Sequence, residues 1–297
     1  MAAVLIDAAT RARLVGRFGP DLAEPWCDTF PGLVARLSAR WGLTVREARP
    51  GNTGRTLLCT GPGGDLRVLK LTPDPEVARL EATGLRAWAG CTRAVQVLDT
   101  DLDAGAILLE GLVPGTELRG REVPWPDLGE MLAELHGVKP PEDLPPLTDR
   151  VTFMYDITER TVVGSGSAAE PYLTPAVLAR ARHRAMALAQ DGPLAVVHGD
   201  LHPGNVLDAG PGRGLVAIDP RPSVGDPAFD LADWLYLPLA AGGTLDDGVE
   251  ALRPHLPGLD ADRALAWCAA LAPLAAHAPL RRGERTPFTE ALLELSR

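Results

Sequence analysis

One ten-residue string constrains this chain more than any other feature: His198-Gly199-Asp200-Leu201-His202-Pro203-Gly204-Asn205-Val206-Leu207. The short apolar run Leu194-Ala195-Val196-Val197 leads into it. A second run, Leu215 to Ile218, follows the turn Gly210-Pro211-Gly212-Arg213-Gly214 and ends in Asp219-Pro220. Short apolar runs bounded by Gly and Pro read as buried strands, and the turn between them as a hairpin. Asp200 and Asn205 then share one loop after a strand, and the hairpin returns Asp219 to the side of Asn205. An Asp five residues before an Asn is common by chance; the whole string between two strands is not.

The rest of the chain supplies a two-part frame. The first forty residues have helical spacing, with Leu33, Val34, Leu37 and Trp41 on one face. From about Val45 the texture becomes β-like. Thr56 to Thr60 and Leu66 to Leu71 flank the turn Gly61-Pro62-Gly63-Gly64-Asp65 and read as a hairpin. Glu76 to Trp88 is helical in spacing; Val95 to Leu98 and Ala106 to Leu109 read as a strand pair with the acidic turn Asp99 to Gly105. The Gly/Pro connector after Glu110 marks a lobe boundary. Beyond it, Leu128, Met131, Leu132 and Leu135 form a helical stripe, Thr174-Pro175 is a helix start and Asp191-Gly192-Pro193 a stop. The expected class is α+β. It comprises an N-terminal lobe over 1–110 (a helical lead-in over 1–44, then a β-rich part), a hinge at 111–116 and a helical C-terminal lobe over 117–297.

A formal net charge of −10 disfavours nucleic acid or an anionic membrane as partner. No apolar run reaches the length of a membrane span, and the Met1 to Asp7 stretch lacks a basic region, so no secretory signal is expected. Cys27, Cys59, Cys91 and Cys268 are widely spaced, which fits a reduced cytoplasmic protein with scattered buried thiols. Nearly all the positive charge is Arg; Lys70 and Lys139 are the two lysines. Lys70, kept inside an apolar strand against that bias, points to chemistry that Arg does not do.

Two carboxylates and an amide gathered on one hairpin suit a hard divalent cation held by oxygen, with one carboxylate left to orient a hydroxyl. Those are the demands of phosphoryl transfer. HxDxxxxN followed by a strand-terminal Asp resembles the catalytic loop and metal-binding segment of the protein-kinase-like fold. HGDLHPGNVL, IDP and GDPAFDLADWL together resemble the aminoglycoside phosphotransferase family. WCDTFPGLVARLSARWGL, VLKL, LEATGLRAWAG and ILLEGLVPGTEL are similar to its streptomycin 6-kinase and hydroxyurea phosphotransferase branch, over about Phe18 to Tyr236.

The resemblance implies a bilobal protein-kinase-like fold that binds ATP and Mg2+ between its lobes. It implies Asp200 as catalytic base, and Asn205 and Asp219 as Mg2+ ligands. Lys70 would contact the α- and β-phosphates, held by Glu81, with Glu76 as the fallback. Asn52 and Thr53, within Gly51 to Gly54, would lie over the phosphates, and the hinge from Glu110 to Leu112 would offer backbone groups to adenine. His198 is expected to brace the loop, His202 is open between ordering the loop and lining the acceptor site, and Asp226 and Asp230 read as capping or hydrogen-bonding supports. A direct substrate role for Asp226, Asp230 or Asp233 is the lesser reading. The implied acceptor is a cationic aminoglycoside such as streptomycin; hydroxyurea or another small metabolite, or a non-catalytic nucleotide-binding role, are the alternatives. Pro220 stands where protein kinases carry Phe, and no Ala-Pro-Glu follows, so protein phosphorylation is not expected.

Overall fold

The computed structural model describes residues 5–51 and 53–297. The part of the helical lead-in expected over 1–4, and the phosphate-loop residue Asn52, lie outside the described residues. The chain divides into two compact units: one runs to Thr116 and takes in Asp208–Val216, the other comprises Glu117–Leu207 and Ala217–Arg297.

In the first unit, α1 (Ala8–Phe18) and α2 (Pro20–Trp41) precede the strands β1 (Thr44–Pro50), β2 (Arg55–Thr60) and β3 (Leu66–Leu71). The helix α3 (Pro75–Ala87) follows, then β4 (Val97–Asp101) and β5 (Ala106–Glu110). The five strands form one antiparallel sheet in the order β1-β2-β3-β5-β4. Alternate residues of a strand face opposite ways. Leu57 and Cys59 of β2, Leu69 and Leu71 of β3, and Ala106 and Leu108 of β5 therefore share the face that buries Phe30, Val34 and Leu37 of α2. Burying each of the larger of these side chains contributes on the order of 1.5–3 kcal/mol. Lys70, between Leu69 and Leu71, is turned to the opposite face.

Asp74 caps α3 by accepting the Glu76 N–H, with Pro75 at its first position. The strand β4 runs on into the acidic stretch that its sequence marked as a turn. Asp99 accepts the Trp41 indole N–H at 2.8 Å, and Asp101 pairs with Arg36 at 2.9 Å and Arg40 at 3.1 Å, so α2 supplies the partners that hold those carboxylates. The segment Asp208–Val216 stays with this unit through Arg213, which donates to Glu110 Oε2 at 2.8 Å, Ala94 O at 2.9 Å and Thr92 O at 2.6 Å.

After β6 (Thr116–Glu117), the second unit is built mainly from helices: α4 (Trp125–His136), α5 (Leu147–Val162) and α6 (Pro175–Gln190). Along the chain, short strands β7 (Ala195–Val197), β8 (Val206–Asp208), β9 (Leu215–Ala217) and β10 (Ser223–Gly225) follow, of which Asp208 and Leu215–Val216 belong to the first unit, and then α7 (Ala232–Ala240), α8 (Leu245–Leu252), α9 (Ala261–Arg281) and α10 (Pro287–Leu295). The helix α9 packs on α5, α6, α7 and α10, and buries Trp267, Cys268 and Leu271. The strand β7 pairs antiparallel with β10, Val197 opposite Ser223, and delivers the chain to His198. Among the described residues no helix is long and apolar enough to cross a membrane.

Candidate active site

The loop after β7 is held from below by a chain of buried polar contacts. Asp226 Oδ2 accepts from Arg263 and from the Trp267 indole, while Oδ1 accepts the Ala228 N–H and caps the 3-10 turn Pro227–Leu231. That turn presents Asp230, whose side chain is fully buried. Asp230 accepts the backbone N–H of His198 at 2.7 Å and of Gly199 at 2.9 Å, and contacts His136 Nε2 at 3.0 Å. Both carboxylate oxygens are spent on fixing the backbone immediately before Asp200. Gly199 has φ of +77°, and a Cβ there would lie 2.1 Å from Arg221 O, so this position requires glycine.

The Asp200 carboxylate is gripped on both oxygens. Arg150 of α5 donates to Oδ1 at 3.1 Å and to the neighbouring Gly199 carbonyl at 2.8 Å. Asn205 Nδ2 donates to the Asp200 carbonyl at 2.8 Å and reaches Oδ2 at 3.3 Å. His202 Nδ1 accepts the Gly204 N–H at 3.0 Å, which places its ring proton on Nε2 and caps the 3-10 turn Pro203–Asn205. His202 thus orders the loop.

Asp219 ends the second arm. The Ile218 N–H donates to the Asn205 carbonyl at 2.9 Å and His198 Nε2 meets the Ile218 carbonyl at 3.0 Å, so the two arms are laced together next to Asp219. Among the described residues, Asp219 is the one non-glycine with positive φ, +57°, a conformation that costs a residue with a Cβ roughly 1–2 kcal/mol. Such strain is typical of residues whose side chain is aimed for function. Arg221 lies 3.4 Å from its carboxylate.

The donor set fits a magnesium ion. The Asn205 amide nitrogen is committed to Asp200, which leaves its oxygen available to a cation, and Asp219 would add a carboxylate. Two protein oxygens with phosphates and water completing the shell is the usual arrangement for this ion.

In the first unit, Lys70 Nζ is hydrogen-bonded to Glu81 Oε1, and Glu81 is buried to 4% exposure. The alternative partner Glu76 pairs instead with Arg79 on the helix surface at 3.2 Å. Gly51 to Gly54 joins β1 to β2, and Thr53 lies in that turn. A Cβ on Gly54 would fall 2.0 Å from Leu71 O, so glycine lets the turn close on β3. The Glu110 side chain accepts the Gln96 N–H at 2.8 Å and pairs with Arg213, and its own N–H donates to Gln96 O at 3.1 Å. The Gly111 N–H goes to Leu66 O, and Leu112 follows as a buried residue of the connector.

The sequence offered no signal for Arg150 and His136. Each lies on a helix whose pattern reads as an ordinary amphipathic element, and each reaches the loop through tertiary contact alone.

Burial pushes the His198 imidazole below its ordinary pKa, so it is neutral in the folded protein. An unfolded chain takes up a proton near pH 6.5 that the folded ring refuses, so stability present above that pH is lost as pH falls below it. Burial alone would raise Asp230, but His136 and the His198 N–H outweigh it and hold the carboxyl below the usual range, which acts in the same direction at more acidic pH. The unfolding free energy is expected to fall from pH 7 to pH 5.5 by up to about 1.4 kcal/mol per pH unit for His198, and the Tm with it. Thermal melts of His198→Gln should show a shallower slope in that window.

Comparison with known proteins places this geometry. Residues 40–283 match the family model described as aminoglycoside/hydroxyurea antibiotic resistance kinase. Among curated relatives, a hydroxyurea phosphotransferase of Kitasatospora aureofaciens is 33% identical over 262 residues, spanning 84% of this chain and 73% of its own length. A streptomycin 6-kinase of Streptomyces glaucescens is 34% identical over 228 residues, 75% of this chain and 71% of its own. In fold, the chain resembles the choline kinase LicA of Streptococcus pneumoniae with a TM-score of 0.63, at 13% identity and over 91% of this chain and 97% of that one. The fold is kinase-like, and the chain is a phosphotransferase acting on a hydroxyl group. It belongs to the aminoglycoside/hydroxyurea antibiotic resistance kinase family.

Proposed function

We propose that this enzyme transfers the γ-phosphoryl group of ATP, with Mg2+, to a hydroxyl of streptomycin, inactivating the antibiotic in the cytoplasm. The observation that carries the reading is Asp200: its carboxylate is held on both oxygens and stands at the wall of a cavity of about 240 Å³ in the second unit. An acceptor hydroxyl in that cavity meets an oriented carboxylate able to take its proton. Arg150 and Asn205 hold that carboxylate in one rotamer, so the acceptor is met by a preset geometry rather than an averaged one. Bound magnesium would neutralise phosphate charge, held by Asn205 and Asp219. Lys70, fixed by Glu81, would set the α- and β-phosphates, with Thr53 and Asn52 over them and the connector at Glu110 and Leu112 beside the adenine. Support for streptomycin comes from the 34% identical streptomycin 6-kinase.

Hydroxyurea is the second reading, supported by the 33% identical hydroxyurea phosphotransferase, which aligns with more of the chain. Coupled ADP release with ATP and Mg2+ over streptomycin, other aminoglycosides and hydroxyurea separates them. The proposal expects the highest kcat/KM on streptomycin; a higher value on hydroxyurea would transfer the function to the second reading. Glu81→Gln should raise the KM for ATP about tenfold with a smaller effect on the acceptor KM, because it frees Lys70 from its set position.

A further inference from the structure

The cavity beside Asp200 carries three carboxylates: Asp200, Asp230 and Asp233. Two are already engaged. Asp230 is consumed by the His198 and Gly199 N–H groups and His136, and Asp200 by Arg150 and Asn205. Asp233 differs from both. It sits in the first turn of α7, exposed to the cavity, and makes no hydrogen bond or ion pair among the described residues. The remaining wall is apolar and aromatic, from Met154, Phe229, Tyr236, Leu271 and Leu274.

We infer that Asp233 is the specificity residue of the acceptor site, binding a guanidinium group and so selecting a guanidinium-bearing acceptor over a neutral one. This rests on the kinase reading and names the chemistry its acceptor site prefers. A carboxylate among apolar walls matches a guanidinium better than an ammonium. The planar cation is weakly hydrated, pairs with a carboxylate through two parallel hydrogen bonds and tolerates apolar contact on its faces. A cavity of about 240 Å³ also has room for a substituted ring, whereas hydroxyurea, with a few heavy atoms, would leave much of it to water. Near Asp233, the charges of Asp200 and Asp230 oppose that of Arg150. Desolvation within the cavity pushes the Asp233 carboxyl up to about 6, so a cation is the partner that its ionised form lacks.

The test is calorimetric binding of streptomycin and of hydroxyurea to the full chain at pH 7.5, for wild type, Asp233→Asn and Asp233→Glu, with kcat and KM measured in parallel. Asp233→Asn is expected to weaken streptomycin binding at least tenfold and raise its KM alike, while hydroxyurea affinity changes less than about twofold. Asp233→Glu should recover part of the loss, and Asp233→Asn should melt no lower than wild type, since removing a desolvated charge relieves the folded state. Equal streptomycin binding by wild type and Asp233→Asn, or equal loss for both ligands, would overturn the assignment. Because binding is read directly, an absence of turnover on either acceptor would count against the kinase reading and leave this result decisive.

Discussion

Asp200→Ala is expected to lower kcat roughly a thousandfold, within the range that a positioned general base supplies. The affinity for ATP should change little, because Asn205 keeps its shorter hydrogen bond, 2.8 Å, to the residue-200 backbone carbonyl. Asp200 has 36% of its side chain exposed and is held at both oxygens, so the variant loses a chemical group rather than a packing element. Asp200→Asn keeps the shape and removes the charge. It should be almost as inactive, since an amide cannot accept the hydroxyl proton and its NH2 would face Arg150 or the Asn205 amide. Single-turnover kinetics with ATP and streptomycin reads the loss directly. A variant retaining a tenth or more of wild-type kcat would show that Asp200 is not the base.

Asp230→Ala should have the largest effect on the folded state. The carboxylate is fully buried, and its loss strands two backbone N–H groups and His136 without their acceptor. Removing one side of such a buried charged network costs about 3–5 kcal/mol. For a chain of this size that is roughly 6–12 °C in Tm. The catalytic loop is what Asp230 anchors, so kcat should also fall well beyond tenfold in the fraction that remains folded. Asp230→Asn, with one acceptor oxygen left, should fall between wild type and Ala in both readouts. Differential scanning calorimetry with parallel kinetics checks the pair, and an Asp230→Ala protein that melts with wild type would remove the anchor from the account.

What could be read in advance follows the range of the interactions. Asp200, Asn205 and Asp219 were legible because their chemistry is packed into one hairpin, where short apolar runs and glycine turns fix the relative placement. Lys70 and Glu81 were legible through two periods: alternation along β3 turns Lys70 away from Leu69 and Leu71, and helical spacing along α3 turns a glutamate toward it. Arg150 and His136 were not legible, being 50 and 94 residues from the groups they hold. For Asp233 a substrate role was the lesser reading, since an acidic residue in the first turn of a helix is favoured by the helix dipole whatever else it does. The extension of β4 into Asp99 to Asp101 depended on partners from α2, and the engagement of Glu110 by Arg213 on a turn distant in sequence. For Arg150, His136, β4 and Glu110 the missing term was a tertiary partner, not a misread propensity.

The proposed reaction moves one phosphoryl group from ATP to a streptomycin hydroxyl at Asp200. Incubating the purified protein with ATP, Mg2+ and streptomycin, and analysing the antibiotic by mass spectrometry and phosphorus NMR, tests it most directly. A single phosphate monoester on streptomycin is expected, formed one for one with ADP and absent with Asp200→Ala. Unmodified streptomycin under conditions where hydroxyurea becomes phosphorylated, or the same ester formed by Asp200→Ala, would contradict it.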